Sequence, residues 1–172
     1  MVRSTHGVFL VIEMNGMMKI KTIGLATLLS FAAGAMCFAS PNPTEGTWKL
    51  DEAKSKLGDG MGKTQTVVWE KAGEDEKCTV DGVEADGKKT HTVWTGKLDG
   101  KDYPITGDNT SDMRSFKLSS KDTIEMVSKK DGKTVGEGKI VVAADGKTRV
   151  VTNTTTNDKG EKVTSTQAYN KE

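Results

Sequence analysis

Cysteine and histidine are scarce in this chain, which has 172 residues and only two of each. Cys37 and His6 lie in an N-terminal region that differs in kind from the rest, so the remainder contains only Cys78 and His91. A single cysteine excludes an intramolecular disulfide, and these two residues have no spacing that predicts a zinc site. Any Ser-His-Asp or Cys-His catalytic set would have to use His91. We therefore predict that the chain is not an enzyme and uses no metal or cofactor.

Short motifs of familiar active sites are also missing. There is no Gly-x-Ser-x-Gly, no phosphate-binding loop and no dinucleotide fingerprint. The acidic segment "DGVEADG", residues 81–87, has Val83 and Ala85 where an EF-hand loop needs ligands. The formal net charge is only +1, and the charges of both signs are interspersed. Nucleic acid is therefore not an expected partner.

Residues 1–39 have the order of a secretory signal peptide. A short basic head at 19–21 is followed by an uncharged apolar run at 23–38 and then by Ala39. The run has about 16 residues, fewer than the roughly 20 that span a bilayer. We expect cleavage after Ala39, which makes the mature chain periplasmic or extracellular and not membrane-spanning. An uncleaved anchor is the alternative interpretation.

The start of the chain and Cys37 need separate interpretations. Residues 1–16 precede the basic head and contain Glu13, which does not suit a signal peptide, so they are interpreted as a start-site artefact. Translation would then begin at Met17 or Met18. Lipidation of Cys37 is an alternative, although Met36 stands where a lipoprotein signal has a small residue.

Asp-Gly pairs divide the rest of the chain into short segments. Asp-Gly-Lys begins at residues 86, 99, 131 and 145, and Asp-Gly between alternating segments predicts hairpins with type I′ turns. The segments are rich in Thr, Val and aromatic residues, and several alternate with the period of two that is typical of a strand. The predicted strands are 64–71, 77–82, 90–97, 114–119, 122–129, 138–144, 148–156 and 162–169.

These segments predict an all-β fold in which residues 46–172 form one domain behind a flexible leader at 40–45. Short sequential hairpins favour an antiparallel up-and-down meander of about eight to ten strands, and closure into a barrel removes the exposed edges. A first strand is expected to start near Gly46. The segment 50–58 is the one candidate helix, of one or two turns, with Asp51 as a possible N-cap and Gly58 after it.

The sequence "GTWKL" at residues 46–50 resembles the Gly-x-Trp signature of lipocalins and related calycin barrels. The longer pattern, through "DGKDYP" to "ADGKTR", resembles a family of small, exported, uncharacterised bacterial lipocalin-like proteins. This resemblance implies that Gly46 and Trp48 close one end of a barrel. It also implies that Trp48 packs beneath a cationic side chain from late in the chain, for which Arg149 and Arg114 are candidates.

Aromatic residues are few, 5% of the chain, and fall on separate predicted strands. Inside a closed barrel they would either pack as a core or line a cavity for a small ligand. The candidate ligand-contacting residues are Trp69, Trp94, Tyr103, Phe116, Met126 and Tyr169. The predicted function is a monomeric, non-catalytic binder of a small apolar or amphipathic molecule. The alternative is a structural or protein-interaction module with a packed interior.

Three residues, Cys78, His91 and Trp94, carry specific expectations. Cys78 alternates with Val80, which favours a small buried residue over a reactive thiol or an intermolecular bridge. His91 and Trp94 must point to opposite faces of their strand. We predict that Trp94 faces the interior and that His91 is a strand histidine, with a ligand-contacting or acid-base role as the alternative.

Overall fold

The computed structural model describes residues 42–157 and 159–172, and the predicted signal peptide lies outside them. The ten strands are β1 (Gly46–Lys56), β2 (Lys63–Ala72), β3 (Asp75–Val83), β4 (Lys89–Gly96), β5 (Tyr103–Thr106), β6 (Met113–Ser120), β7 (Thr123–Lys130), β8 (Lys133–Val142), β9 (Thr148–Thr156) and β10 (Lys162–Lys171). Each strand pairs antiparallel with the next, and β1 pairs with β10 to close the barrel. The predicted all-β up-and-down barrel is confirmed.

All four Asp-Gly-Lys segments lie between strands or at their ends, but they do not share one turn type. At Asp131-Gly132 both residues have positive φ, 48° and 75°, as a type I′ turn requires. At Asp86-Gly87 only the glycine has positive φ, and the Gly87 N–H donates to the Glu84 carbonyl at 3.0 Å. That arrangement is a type I turn followed by a glycine bulge. The type I′ prediction is therefore correct at 131 and wrong at 86.

The Asp-Gly-Lys repeat has a local structural explanation. In three of the four copies the Asp carboxylate accepts the backbone N–H of the Lys two residues later, at 2.9 Å (Asp86), 3.0 Å (Asp99) and 2.8 Å (Asp145). This contact is an Asx turn, which aspartate forms with its own backbone. The Asp-Gly-Lys motif therefore recurs because it forms the turns between consecutive strands.

The predicted helix at 50–58 is wrong, because this segment belongs to β1 as far as Lys56. Asp51 lies opposite Ala168 and Lys56 opposite Thr166, so residues 52–55 form an irregular four-residue bulge opposite the single residue Gln167. The Ser55 hydroxyl donates to the Asp51 carbonyl at 2.7 Å and accepts the Ala168 N–H at 2.9 Å. A helix of one or two turns is marginal by itself, and closure against β10 supplies backbone partners instead.

Residues 42–45, predicted as part of a flexible leader, form a folded turn whose side chains are partly buried. Asn42 Oδ1 accepts the backbone N–H of Thr44 at 2.9 Å and its hydroxyl at 2.7 Å, while Asn42 Nδ2 donates to Glu76 Oε2 at 3.1 Å. The Thr44 carbonyl accepts the Trp48 indole N–H at 2.6 Å. The flexible-leader prediction therefore does not describe these four residues, which we call the N-terminal turn.

Replacing Asn42 with alanine should lower the free energy of unfolding by about 1–3 kcal/mol, because buried donors of Thr44 and the Glu76 carboxylate lose their partner. Urea unfolding followed by circular dichroism measures the loss. Glu45→Ala is the matched control, because Glu45 is the exposed residue of the same turn. An Asn42→Ala variant as stable as Glu45→Ala would show that the turn is not an ordered part of the fold.

Candidate functional site

Four aromatic side chains pack together inside the barrel. The Trp69 and Trp94 rings have centroids 5.9 Å apart, and Phe116 lies 5.0 Å from Trp69 and 4.7 Å from Trp94. Tyr103 adds a further edge contact to Trp94 at 5.8 Å. All four pairs are edge-to-face, the geometry that the ring quadrupoles favour. We call these four residues the aromatic cluster.

All six candidate ligand-contacting residues lie on the inner face of the barrel, but they do not form one site. Trp69, Trp94 and Phe116 are buried in the cluster, Tyr103 is partly exposed, and Met126 is opposite Phe116 on β7. Tyr169 contacts the Arg149 guanidinium and Gln167 Oε1. The cluster is packed ring against ring, so these residues close off part of the interior. Their contact with a ligand stays a prediction.

The end of the barrel where β1 begins is closed by a cation stacked between two rings. The Arg149 guanidinium carbon lies 4.6 Å from the Trp48 ring centroid and 4.9 Å from that of Tyr169, and Lys171 Nζ lies 5.4 Å from Trp48. The expectation that a late cationic side chain covers Trp48 is confirmed for Arg149. Cation–π contacts of this kind stabilise a desolvated guanidinium.

Burial shifts the pKa values of Arg149 and Tyr169 at this end of the barrel. Burial lowers the pKa of Arg149 to about 10, so the guanidinium remains protonated at neutral pH. It also raises the pKa of the Tyr169 hydroxyl to about 12, and that hydroxyl donates to Gln167 Oε1 at 3.2 Å. Gln167 Oε1 additionally accepts the backbone N–H of Thr64 at 3.0 Å. Arg149 is therefore a fixed positive charge within the protein interior.

Cys78 is buried, as its alternation with Val80 predicts. It lies between Trp69 and Trp94 on the neighbouring strands, with 4% of its surface exposed. Burial raises the pKa of the thiol to about 12, against the opposing effect of the Arg149 and Arg114 charges. Because the thiolate is the reactive form, this environment disfavours the reactive-thiol alternative.

His91 lies on the outside of the barrel and Trp94 on the inside, as predicted. The His91 side chain is largely exposed, and its Nδ1 lies 2.6 Å from Asp81 Oδ1 on the neighbouring strand. Trp94 has only 1% of its surface exposed. His91 therefore cannot serve a site inside the barrel.

Arg114, the other cationic candidate for covering Trp48, has a different role. It holds the β5–β6 loop, residues 107–112, through a 2.9 Å ion pair between its Nη2 and Asp108 Oδ2. Its Nε donates to Ser128 Oγ on β7 at 3.0 Å. Asp108 also accepts hydrogen bonds from the backbone and hydroxyl groups of Thr110 and Ser111. Asp108 is thus one anchor of the loop, and Asp112 is a second, since its backbone N–H donates to the Lys129 carbonyl at 2.9 Å and its Oδ2 accepts the Asp131 N–H at 2.9 Å.

A second set of inward side chains is less completely buried than the aromatic cluster and packs against the core. Its members are apolar, lie directly opposite buried core residues on neighbouring strands, and therefore share the inner face. They are nevertheless partly exposed. The residues are Leu50 (opposite Tyr169), Val80 (opposite Val67), Met126 (opposite Phe116) and Val151 (opposite Ile140).

Glycines on β8 contribute to this region. Gly138 lies opposite Met126, and a Cβ at Gly138 would come within 2.6 Å of Met126 Cε. Gly136 is the next inward position on the same strand, opposite Ser128. The Met126 methyl group and Thr155 Cγ2 lie where side chains at these two positions would be, and inward glycines also help a barrel strand to bend. We call the region formed by Leu50, Val80, Met126, Val151 and these glycines the open region.

Sequence reasoning overlooked the buried polar residues next to the barrel end. Glu76 is 5% exposed and contacts both Asn42 and Lys71. The sequence does indicate that the Glu76 side chain points inward, because Glu76 stands two residues before the buried Cys78 on β3. Asn42 and Thr44 have no such signal, since they precede the first strand.

Metal-binding groups and membrane-spanning helices are both missing from the part of the chain that the structure describes. Within residues 42–157 and 159–172, no three His, Cys, Asp or Glu side chains come together in a group that could hold a metal ion. The same part of the chain contains no helix with the length and apolar character needed to cross a membrane.

Comparisons with known proteins give structural similarity but no sequence match. No family model and no curated protein matches the chain. It is similar to a redesigned beta barrel, mFAP1, solved bound to DFHBI, with a TM-score of 0.43 and 13% identity over 75% of this chain and 95% of that one. It is also similar to EF1p2_mFAP2b bound to DFHBI, with a TM-score of 0.45 and 11% identity over 76% and 94% of the two chains. DFHBI is the ligand of those two proteins.

Proposed function

We propose that this chain is an exported, lipocalin-like binding protein that holds a small apolar or amphipathic molecule inside its barrel. The observation that carries the proposal is the partial exposure of Leu50, Val80, Met126 and Val151 on the inner face. An inward side chain of a closed barrel retains accessible surface only where there is space beside it. Apolar surface left in such a space favours an apolar occupant.

The aromatic cluster limits where the molecule lies. Trp69, Trp94 and Phe116 are at most 3% exposed, so a ligand would rest against the cluster from the side of the open region. Met126 lies between the aromatic cluster and the open region, because it is opposite Phe116 on β6 and opposite Gly138 on β8. A flexible methionine at such a boundary adapts to ligands of different shape.

Export and the absence of catalysis are parts of the same proposal. Export is supported by the basic, apolar and small residues at 19–39. A non-catalytic role is supported by the two side chains best suited to chemistry: His91 is on the outer face, and the pKa of the Cys78 thiol is raised to about 12. We propose that the mature protein acts as a monomer, since closure of the barrel leaves no unpaired edge for strand addition.

Titration with the neutral fluorophore N-phenyl-1-naphthylamine tests the binding proposal. The wild-type barrel should give a saturable rise in fluorescence, and Val151→Phe should weaken binding at least about tenfold because the new ring occupies the open region. Val150→Phe is the matched control, since Val150 is the adjacent residue on β9 and is 41% exposed on the outside. It should bind as wild type does.

A saturable signal that Val151→Phe leaves unchanged would place the fluorophore outside the barrel and contradict the proposal. The absence of saturable binding to folded wild-type protein would also contradict it. The latter result would favour the alternative of a structural or interaction module. The exposed pair Val141 and Val150, which lie directly opposite each other on the outer face, is the surface feature that favours that alternative.

A further inference from the structure

The inner face of strands β6–β10 changes from apolar to polar along the barrel. Inward side chains that lie directly opposite one another form successive rows across these five strands. The row nearest the Trp48 end is apolar apart from its last member and consists of Leu118, Ile124, Ile140, Val151 and Gln167. The next row is Phe116, Met126, Gly138, Asn153 and Ser165, and the one after it is Arg114, Ser128, Gly136, Thr155 and Val163. Polar groups therefore collect towards the end of the barrel opposite Trp48.

Asn153 is the polar side chain of these rows that adjoins the open region. A Cβ at Gly138 would lie 3.3 Å from Asn153 Oδ1 and 2.6 Å from Met126 Cε, so the amide and the methionine methyl group meet over the same glycine. Asn153 is half-buried, and its amide forms no hydrogen bond within the part of the chain that the structure describes. Its Oδ1 and Nδ2 keep accessible surface, in contrast to the enclosed Nε and Nη1 of Arg149. This amide can therefore both donate and accept hydrogen bonds at the edge of an apolar surface.

The charge near Asn153 is balanced within the protein. Arg114, the inward cation of the last row, pairs with Asp108 at 2.9 Å, and its Nε donates to Ser128 Oγ at 3.0 Å. The other positions of the three rows are uncharged. A charged ligand group beside Asn153 would lose its hydration without gaining an opposite charge, which is costly. An uncharged group that forms hydrogen bonds avoids this cost.

We infer that Asn153 binds the uncharged hydroxyl head group of an amphipathic ligand, whose apolar chain lies along Met126 and Val151. This inference rests on the proposed function and specifies the chemical class and the orientation of its ligand. Val151 is the next inward residue of β9 towards the Trp48 end, so the apolar chain points away from the polar rows. A half-buried amide discriminates between ligands, because a ligand without a hydrogen-bonding group leaves the amide unpaired.

Competition against bound N-phenyl-1-naphthylamine tests the charge of the head group. From wild-type protein, 1-decanol should displace the fluorophore at a concentration at least about tenfold lower than decanoate or decylammonium, which carry a charged head group on a similar chain. Displacement by either ion at an equal or lower concentration would overturn the inference. This comparison requires no variant.

An Asn153 variant separates hydrogen bonding from the hydrophobicity of the ligand. The two ligands compared are 1-decanol and 1-chlorodecane, which is uncharged and has no hydroxyl. Asn153→Leu should weaken displacement by 1-decanol relative to 1-chlorodecane at least about fivefold, because the hydroxyl loses its partner. Asn170→Leu is the matched control, since Asn170 is an exposed asparagine on β10, and it should leave the ratio unchanged.

A ratio that Asn153→Leu leaves at the wild-type value would overturn the inference, and Asn153→Ala gives the same readout where leucine prevents folding. Either contrary result leaves the proposed function standing, because the neutral fluorophore is still bound inside the barrel. The absence of saturable fluorophore binding to folded wild-type protein is a different result, which overturns the proposed function and the inference with it.

Discussion

Replacing Trp94 with alanine is expected to lower the free energy of unfolding by about 3–5 kcal/mol, as large-to-small substitutions of buried aromatics do. The indole is 1% exposed and has ring contacts with Trp69, Phe116 and Tyr103 at 5.9, 4.7 and 5.8 Å. Its Nε1 also donates to the Arg114 carbonyl at 2.9 Å. A domain of this size has a total stability of about 5–15 kcal/mol, so the loss removes a large part of it. Urea unfolding followed by circular dichroism measures the change.

His91→Ala is the control, because His91 lies on the same strand and faces the opposite way. Its contact with Asp81 joins two side chains that are 62% and 52% exposed, and such pairs contribute about 0–1 kcal/mol. A loss for His91→Ala as large as that for Trp94→Ala would contradict the assignment of inner and outer faces. A Trp94→Ala variant with wild-type stability would mean that the aromatic cluster is not the core.

Alternation within a strand was sufficient to predict which face is buried in β4, β6 and β7. Trp94 and His91 illustrate this, because alternation fixes their opposite directions once the strand is recognised. The inward positions of Phe116 and Met126 follow from the same rule applied to β6 and β7. Strand β5 was not predicted, because it has only four residues, contains Pro104 and pairs with each neighbour through two residues. So short an element depends on the barrel around it.

Two features that depend on distant partners were not predicted. The segment 50–58 has a helical pattern, yet its conformation is decided by pairing with β10, more than a hundred residues away in sequence. Likewise, no local signal shows that Arg149 covers Trp48 and that Arg114 does not. That choice follows from register, since Arg149 lies opposite Tyr169 and Trp48 opposite Lys171.

The division of the interior into a packed part and an open part was also beyond sequence reasoning. The six candidate residues were predicted as one group, but packing separates the buried Trp69 from the partly exposed Met126. Trp69 lies opposite Gly46 and Cys78 but is enclosed by edge contacts with two rings, whereas Met126 lies opposite Phe116 and Gly138 and stays partly exposed. Which side chains face each other across a barrel is known only once the strand register is known, so their volumes cannot be compared from sequence alone.

Replacing Asp108 with alanine is expected to lower the free energy of unfolding by about 2–4 kcal/mol, because it leaves the largely buried Arg114 guanidinium without its carboxylate. The side chains of the pair are 17% and 12% exposed. The same substitution removes the hydrogen bonds that hold Thr110 and Ser111 in the loop. Urea unfolding at neutral pH measures the loss, and increased hydrogen exchange of the amides in 107–112 should accompany it.

This effect should depend on pH in a defined direction. Burial by itself would raise the pKa of Asp108, but hydrogen bonds from Ser111 and Thr110 and the charge of Arg114 lower it below its usual value. A carboxylate with a lowered pKa in the folded state stabilises the fold above the unfolded pKa of about 4, and this contribution is lost as the pH falls through the folded pKa. The difference between wild type and Asp108→Ala should therefore be constant near neutrality and shrink below about pH 4.

Asp86→Ala is the control for Asp108→Ala. Both aspartates form an Asx turn, but only Asp108 also pairs with Arg114. Asp86 also accepts a backbone N–H two residues later, from Lys88 at 2.9 Å, but it is exposed and lies in an ordinary Asp-Gly-Lys turn. Its loss should cost less than about 1 kcal/mol at neutral pH. If both variants lost the same stability, the Asx turn would account for the whole effect and the pairing with Arg114 would contribute nothing. A larger loss for Asp108→Ala means that the β5–β6 loop is held by more than an Asx turn, through the ion pair with Arg114 and the hydroxyl hydrogen bonds from Thr110 and Ser111.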